Sequence, residues 1–223
     1  MKGDEIIKGI GEQLYRTLKQ RIVALEMQPG ERINFSDLSR EFGVSLSPLR
    51  EAVKKLCESR LVEFFPRRGY YIFKPAVEDV KNIYELRRMF EHHALNSFNK
   101  SNQDDKNLRK LKKLGEAVLG KGEEKKRAIL LETEQIHIFT ISHSENTHMK
   151  NLFRSIYDFT LFFQHMVERD IERFIGEHIA MADALLKGDI KKAHQLVDEH
   201  TDAAIREICR ALQVREKASK SSL

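Results

Sequence analysis

Three histidines fall where helical periodicity asks for apolar side chains. His178 lies on the stripe Ile171, Phe174, Ile175, Ala182 and Leu185, His200 on Ala193, Val197 and Ala204, and His137 shares a face with Ile129, Leu130, Thr140 and Ile141. An imidazole turned toward a core must satisfy its ring nitrogens. Hydrogen bonds to carbonyl or carboxylate oxygens do this, and so does convergence on a divalent ion, since neutral imidazole suits zinc and nickel. Periodicity alone leaves both solutions open. Arg87 sits on a similar inward stripe with Val80, Tyr84, Glu91 and Ala94. It has two uses there: an ion pair with Glu91 at i+4, or a fork for the carboxylate of a small molecule.

A second constellation lies in "GVSLSPLREAVKKLCESRLV", residues 43–62. Leu49, Val53 and Leu56 recur at helical spacing and form a buried face, while Ser47, Arg50 and Lys54 point away from it. The first turn of a helix has free N–H groups, and small hydroxyl side chains there can approach phosphates, with Arg50 reaching a base edge or another phosphate from the same face. Ser45 and Ser47 are both possible N-caps, with Pro48 tolerated in the first turn. Downstream, "LVEFF" and "YYIFK" are short β-prone runs separated by "PRRG", a hairpin with Arg67, Arg68 and Gly69 at its tip.

These groups need elements to hold them. A helical pattern runs from Ile6 to Leu25, "MQPGE" ends it, and a short helix follows from about Ser36 to Phe42. Gly43 suits a tight turn before the next helix. Helix, helix, turn, helix and hairpin make a winged helix-turn-helix over residues 1–75. Residues 76–213 show helical stripes and no strand pattern, broken at "KSNQDD", "LGKGEE", "SHSENT" and "LLKGD", so an all-α bundle of about six helices is expected. In the last break Gly188 serves as C-cap and Asp189 as the next N-cap. The tail 214–223, "VREKASKSSL", is expected to be disordered. The fold class is mainly α.

Charge follows the same division. Residues 1–75 carry 14 Lys and Arg against 10 Asp and Glu, a balance of +4, whereas the remainder balances at +1. The basic excess in the first third raises the prior for a polyanion partner. No window holds the roughly 20 apolar residues needed to span a bilayer and the N-terminus has no signal-peptide core, so a cytoplasmic protein is expected. Cys57 and Cys209, far apart on helical stripes, read as small buried hydrophobes rather than a disulfide or metal half-site.

The run from "LYRTLKQRIVALEMQPGERI" through "DLSREFGVSLSPLREAVKKLCESRLVEFFPRRGYYI" resembles the DNA-binding domain of GntR-type bacterial transcription regulators. "YELRRMFE", "IHIFTISHSEN" and "EHIAMADALLKGDIKKAHQLVDEH", in that order, resemble the FCD effector-binding domain of the FadR-type branch. The resemblance implies a homodimer on a pseudo-palindromic operator, double-stranded DNA as partner, and a small organic acid as effector, with no enzymatic activity. It implies DNA contacts from Ser45, Ser47, Arg50, Arg67, Arg68 and Gly69, and a role for Arg87 in holding the effector. In metal-binding members one Asp and three His hold the ion. The matching histidines are His137, His178 and His200, whereas the Asp position is Thr133, with Glu134 beside it as a substitute. Two further departures concern DNA: positions where the family carries an operator-contacting Arg are Leu46 and Ser36 here. The alternative from another class is a metal-dependent hydrolase built on the same three histidines.

Overall fold

The computed structural model describes residues 2–98, 105–118, 122–168 and 170–221, arranged as two compact units. The first comprises residues 1–76 together with 158–166. It opens with α1 (Lys2–Val23), α2 (Phe35–Phe42) and α3 (Leu46–Glu58), followed by β1 (Val62–Phe65) and β2 (Gly69–Ile72). Leu14, Leu18 and Ile22 of α1 recur every four residues and are buried with Leu49, Val53 and Leu56 of α3. Each such side chain contributes about 1.5–3 kcal/mol on burial. Asn34 caps α2, its side-chain oxygen accepting from the Ser36 and Asp37 N–H groups. Gly43 closes the helix at φ 64°, a left-handed conformation that a residue with a Cβ adopts only with strain, and α3 starts three residues later.

The wing is a two-stranded antiparallel ribbon pairing Val62 with Ile72 and Phe65 with Gly69. Its tip is closed by the Arg68 N–H donating to the Phe65 carbonyl, 3.0 Å. The connector between α1 and α2 lies along the outer strand, with Ile33 N donating to Tyr70 O and Ile72 N to Glu31 O. The ribbon is therefore anchored to the helices by main-chain bonds as well as by its buried end, Leu61, Val62 and Ile72.

The second unit comprises residues 77–157 and 167 onward. Its helices are α4 (Val77–Asn96), α5 (Asp105–Glu116), α6 (Glu123–Thr133), α7 (Gln135–Ser142), α8 (Thr147–His165, shared with the first unit from Asp158), α9 (Ile171–Lys187) and α10 (Ile190–Ser221). Leu95, Leu108, Leu111, Ile136, Met181, Leu185 and Val197 form its main core. Gly115 lets α5 lie directly on α9, because a Cβ there would come within 2.5 Å of Ile179 Cγ1. Gly188 caps α9 in the left-handed region and Asp189 caps α10 through the Lys192 N–H, as the sequence suggested.

The helix count is close to that expected, and two other expectations need correction. The bundle has seven helices among the described residues, in line with the six or so expected, with α6 and α7 separate. The Thr133 hydroxyl turns back to the Leu130 carbonyl at 2.9 Å, competing with the helical ladder, and Glu134 forms the break between α6 and α7. The stretch from Val214 is not disordered but continues α10 to Ser221, because Arg215, Glu216, Lys217 and Ala218 are good helix formers with no breaker among them. Cys57 and Cys209 are half-buried free thiols rather than core residues. The breaks at "KSNQDD" and "LGKGEE" lie largely outside the described residues. No helix among the described residues is long and apolar enough to cross a membrane.

Candidate functional site

His137 on α7, His178 on α9 and His200 on α10 meet inside the second unit. Each is 1% exposed. Their ring centroids lie 5.1, 5.1 and 4.9 Å apart, and one nitrogen from each falls within 4.8 Å of the others. Among the described residues this is the one such group of metal-capable side chains.

What holds the rings decides what they can do. His137 Nδ1 lies 2.9 Å from Glu91 Oε2, and His200 Nδ1 lies 2.7 Å from Glu177 Oε2. A carboxylate only accepts, so both Nδ1 atoms carry the proton and donate it. His178 Nδ1 is 3.0 Å from Thr133 Oγ1, whose own hydrogen is committed to the Leu130 carbonyl. That hydroxyl must therefore accept from His178. Each of these bonds places a proton on Nδ1, and in the neutral imidazole that leaves the lone pair on Nε2. His137 Nε2 and His178 Nε2 are 3.3 Å apart. In the neutral tautomers both atoms carry lone pairs, the arrangement that two ligands of one ion would have. Nitrogens about 2.0–2.1 Å from one tetrahedral ion lie about 3.3 Å apart. The donor set fits a borderline divalent ion, and the bonds behind it are those that orient histidine ligands.

Thr133 thus takes a different part from the carboxylate that the resemblance implies at this position. Its oxygen stands behind His178, not among the inward nitrogens. Glu134, the suggested substitute, does not join the cluster; it is buried and its charge acts on Arg87.

Arg87 is fully buried on α4 and stacks on Tyr84, 5.5 Å from guanidinium carbon to ring centre. Its Nε donates to Glu91 Oε1 at 2.7 Å, while Nη1 and Nη2 have no hydrogen-bond partner among the described residues. One edge makes the i+4 ion pair, and the other turns both terminal nitrogens away from it. Burial opposes charge on both groups, but at Arg87 it is outweighed by Glu91 together with Tyr84 and Glu134, which hold the guanidinium well above its usual range. At Glu91 burial is likewise outweighed, by His137 and Arg87, which hold its carboxyl down to about 2. One carboxylate therefore ties the fork to the histidine cluster. Helical spacing identifies Glu91 only as the i+4 partner of Arg87. The roles of Glu177 and Thr133 follow from contacts between helices, which periodicity does not carry.

In the first unit Ser45 is the N-cap by position but its side chain makes no capping bond. Ser45, Leu46 and Ser47 are exposed at the start of α3 and Arg50 one turn further on, while Pro48 and Leu49 are buried. The guanidinium of Arg50 lies 5.3 Å from the ring centre of Phe35, which meets Tyr70 of the wing edge-on at 5.5 Å. Arg67 and Arg68 are exposed at the wing tip, with Arg67 at φ 64° and Gly69 at φ 104°. Arg32, exposed on the connector and lying over Gly69, is a further cation on this side that the sequence analysis did not single out. A further histidine pair lies outside both sites: His92 of α4 stacks on His194 of α10 at 4.6 Å, and His92 Nε2 donates to Asp198 at 2.8 Å.

Comparison with known proteins agrees with both halves. Residues 10–72 match the family described as bacterial regulatory proteins, gntR family, and residues 82–203 match the FCD domain. The HTH-type transcriptional regulator YdhC of Bacillus subtilis (strain 168) is 30% identical over 194 residues, 84% of this chain and 86% of the relative. The HTH-type transcriptional repressor RspR of Escherichia coli (strain K12) is 35% identical over 82 residues, 36% of its own length. In fold, a GntR transcriptional regulator from Rhodococcus sp. RHA1 superposes with a TM-score of 0.76 at 23% identity, covering 89% of this chain and 96% of that one. The Zn2+-bound FCD domain of TM0439 gives a TM-score of 0.53 at 23% identity over 61% of this chain and 96% of its own. Nothing in these relatives supports the hydrolase alternative. The chain belongs to the GntR family of bacterial regulatory proteins, a DNA-binding transcriptional regulator whose winged helix is followed by an FCD domain.

Proposed function

We propose that this regulator is a homodimer whose hold on a pseudo-palindromic operator responds to a small organic acid, bound with a divalent ion in the FCD domain. One observation carries the effector half: the Glu91 carboxylate joins a buried open arginine fork to three histidines whose inward nitrogens are all lone-pair donors. A buried guanidinium with two unused terminal amino groups is costly unless an anion completes it. Zinc and nickel both suit three imidazoles, and the zinc-bound state of the TM0439 domain supports zinc. His137, His178 and His200 would hold the ion, and when bound it would supply positive charge to orient a carboxylate or hydroxyl oxygen. Arg87 would take the other end of the acid. The chain's part is binding and orientation, with no catalysis.

On the DNA side, residues 1–75 act as the reading domain and 76–213 as the effector and dimerisation domain, in a cytoplasmic protein. Ser45, Ser47 and the wing residues Arg67, Arg68 and Gly69 meet phosphates, and Arg50 reaches a base edge. Two-fold pairing doubles contacts that a single recognition helix limits to a few base pairs.

The test uses the purified full chain stripped with chelator. Zinc or nickel is expected to raise its melting temperature, and one member of a panel of mono-, di- and tricarboxylic acids to raise it further and change the affinity for duplexes from its own upstream region. Metal-insensitive melting, unchanged by His137→Ala, His178→Ala or His200→Ala, combined with duplex binding that ignores every acid, would overturn the effector reading.

A further inference from the structure

Leu46 is the first residue of α3 and is 43% exposed. An isolated exposed leucine on a protein surface is ordinary and needs no account. This one stands at the start of the recognition helix of a winged helix-turn-helix, where the N-terminal residues face base edges in the major groove. Its exposed neighbours are hydroxyls and a cation. Ser45 and Ser47 flank it, and Arg50 lies one turn on, stacked over Phe35. Those three can satisfy phosphates and base acceptors by hydrogen bonding. Leu46 can satisfy neither, having no donor or acceptor.

The major groove displays one group that matches an isobutyl side chain, the C5-methyl of thymine. We infer that Leu46 reads a thymine methyl, so that the operator carries a T·A pair beneath the first turn of each recognition helix. This rests on the DNA-binding function of the winged unit and adds base identity at one position. It also assigns the division of labour on that turn: Leu46 excludes water from the methyl, the serines hold the backbone, and Arg50 takes the neighbouring hydrogen-bonding edge. A cytosine at the same place offers an amino group and no methyl, so Leu46 would leave it desolvated and unpaired, and discrimination arises from both terms.

The experiment begins with selection of bound duplexes from a randomised pool by the full chain. Each thymine of the selected site is then replaced singly by deoxyuridine, which removes the methyl and keeps every hydrogen-bonding group. One thymine per half-site is expected to show about fourfold weaker binding on this change, the factor equivalent to one buried methylene. Leu46→Ala should bind the thymine and deoxyuridine duplexes equally, and Leu46→Arg should move the selected base at that position toward guanine. The inference is overturned if no thymine is sensitive in the parent, or if Leu46→Ala keeps the full sensitivity. Failure to select any preferred duplex would instead remove the DNA-binding reading itself, and this inference with it.

Discussion

Replacing Thr133 by valine isolates the hydrogen bond that aims His178. The two side chains have nearly the same shape, so no cavity opens at this site, where Thr133 and His178 are each 1% exposed. The Leu130 carbonyl loses the hydroxyl but keeps the Glu134 N–H at 2.9 Å. The whole effect therefore falls on His178 Nδ1–H, a buried donor left without its acceptor, at about 1–3 kcal/mol. Without metal the ring can escape this by moving its proton to Nε2, which lies 3.3 Å from the His137 Nε2 lone pair and can donate to it. With metal it cannot, because Nε2 is then needed as a ligand. The variant should thus be close to the parent in stability when stripped, yet bind zinc about 10–100-fold more weakly, the usual range for losing a bond behind a ligand. At a zinc concentration 100 times the parent Kd, metal adds about 2.7 kcal/mol to the parent's stability and about 0.4–1.4 kcal/mol to the variant's. For a chain of this size that is a metal-induced rise of about 5–11 °C against about 1–6 °C. Calorimetric zinc titration and melting with and without chelator measure both halves, with Thr133→Ser, which keeps the hydroxyl, as the control expected to match the parent. Zinc affinity of Thr133→Val within twofold of the parent would refute the tautomer assignment on which the metal centre stands.

Three other outcomes follow from the same geometry. Arg87→Met leaves the buried Glu91 carboxylate without its guanidinium and should lower stability by about 3–5 kcal/mol in urea, whereas the double variant Arg87→Met/Glu91→Gln should cost clearly less than the sum of its parts; additive losses would show that the two are not a pair. His194 is held below its ordinary pKa by burial and then by His92, against the pull of Asp198, with Arg88 and Asn96 also facing the pair. The folded state therefore binds fewer protons there than the unfolded one, so this contribution is fully present above about pH 6.5 and is lost as pH falls below it. The melting temperature should fall between pH 7.5 and 5.5 less steeply in His194→Gln than in the parent, and identical slopes would count against the assignment. Arg50→Ala should weaken operator binding by about 1–3 kcal/mol and relax base preference, while Arg67→Ala and Arg68→Ala should each reduce the salt dependence in a gel-shift series; unchanged preference in Arg50→Ala would place α3 wrongly on the duplex.

Sequence alone determined the elements and the faces they bury. Gly43 between two short helical patterns, "PRRG" between two β-prone runs, and Gly188–Asp189 between two stripes are local signals, because caps and turns are settled by the conformational freedom and hydrogen bonding of a few adjacent residues. The inward placement of His137, His178, His200 and Arg87 was legible for a similar reason: a period of 3.6 reports which side of a helix faces the core. Only tertiary structure decided what those side chains meet. Glu91 behind His137, Glu177 behind His200, and Thr133 behind His178 join residues 46, 23 and 45 positions apart, each pair on different helices. No periodicity carries such a pairing, since it depends on how far each helix slides and turns against its neighbours. Thr133 shows the difference most plainly. In the chain it is the place where a carboxylate ligand is missing, and in the fold it is the hydroxyl that turns His178 to face the others.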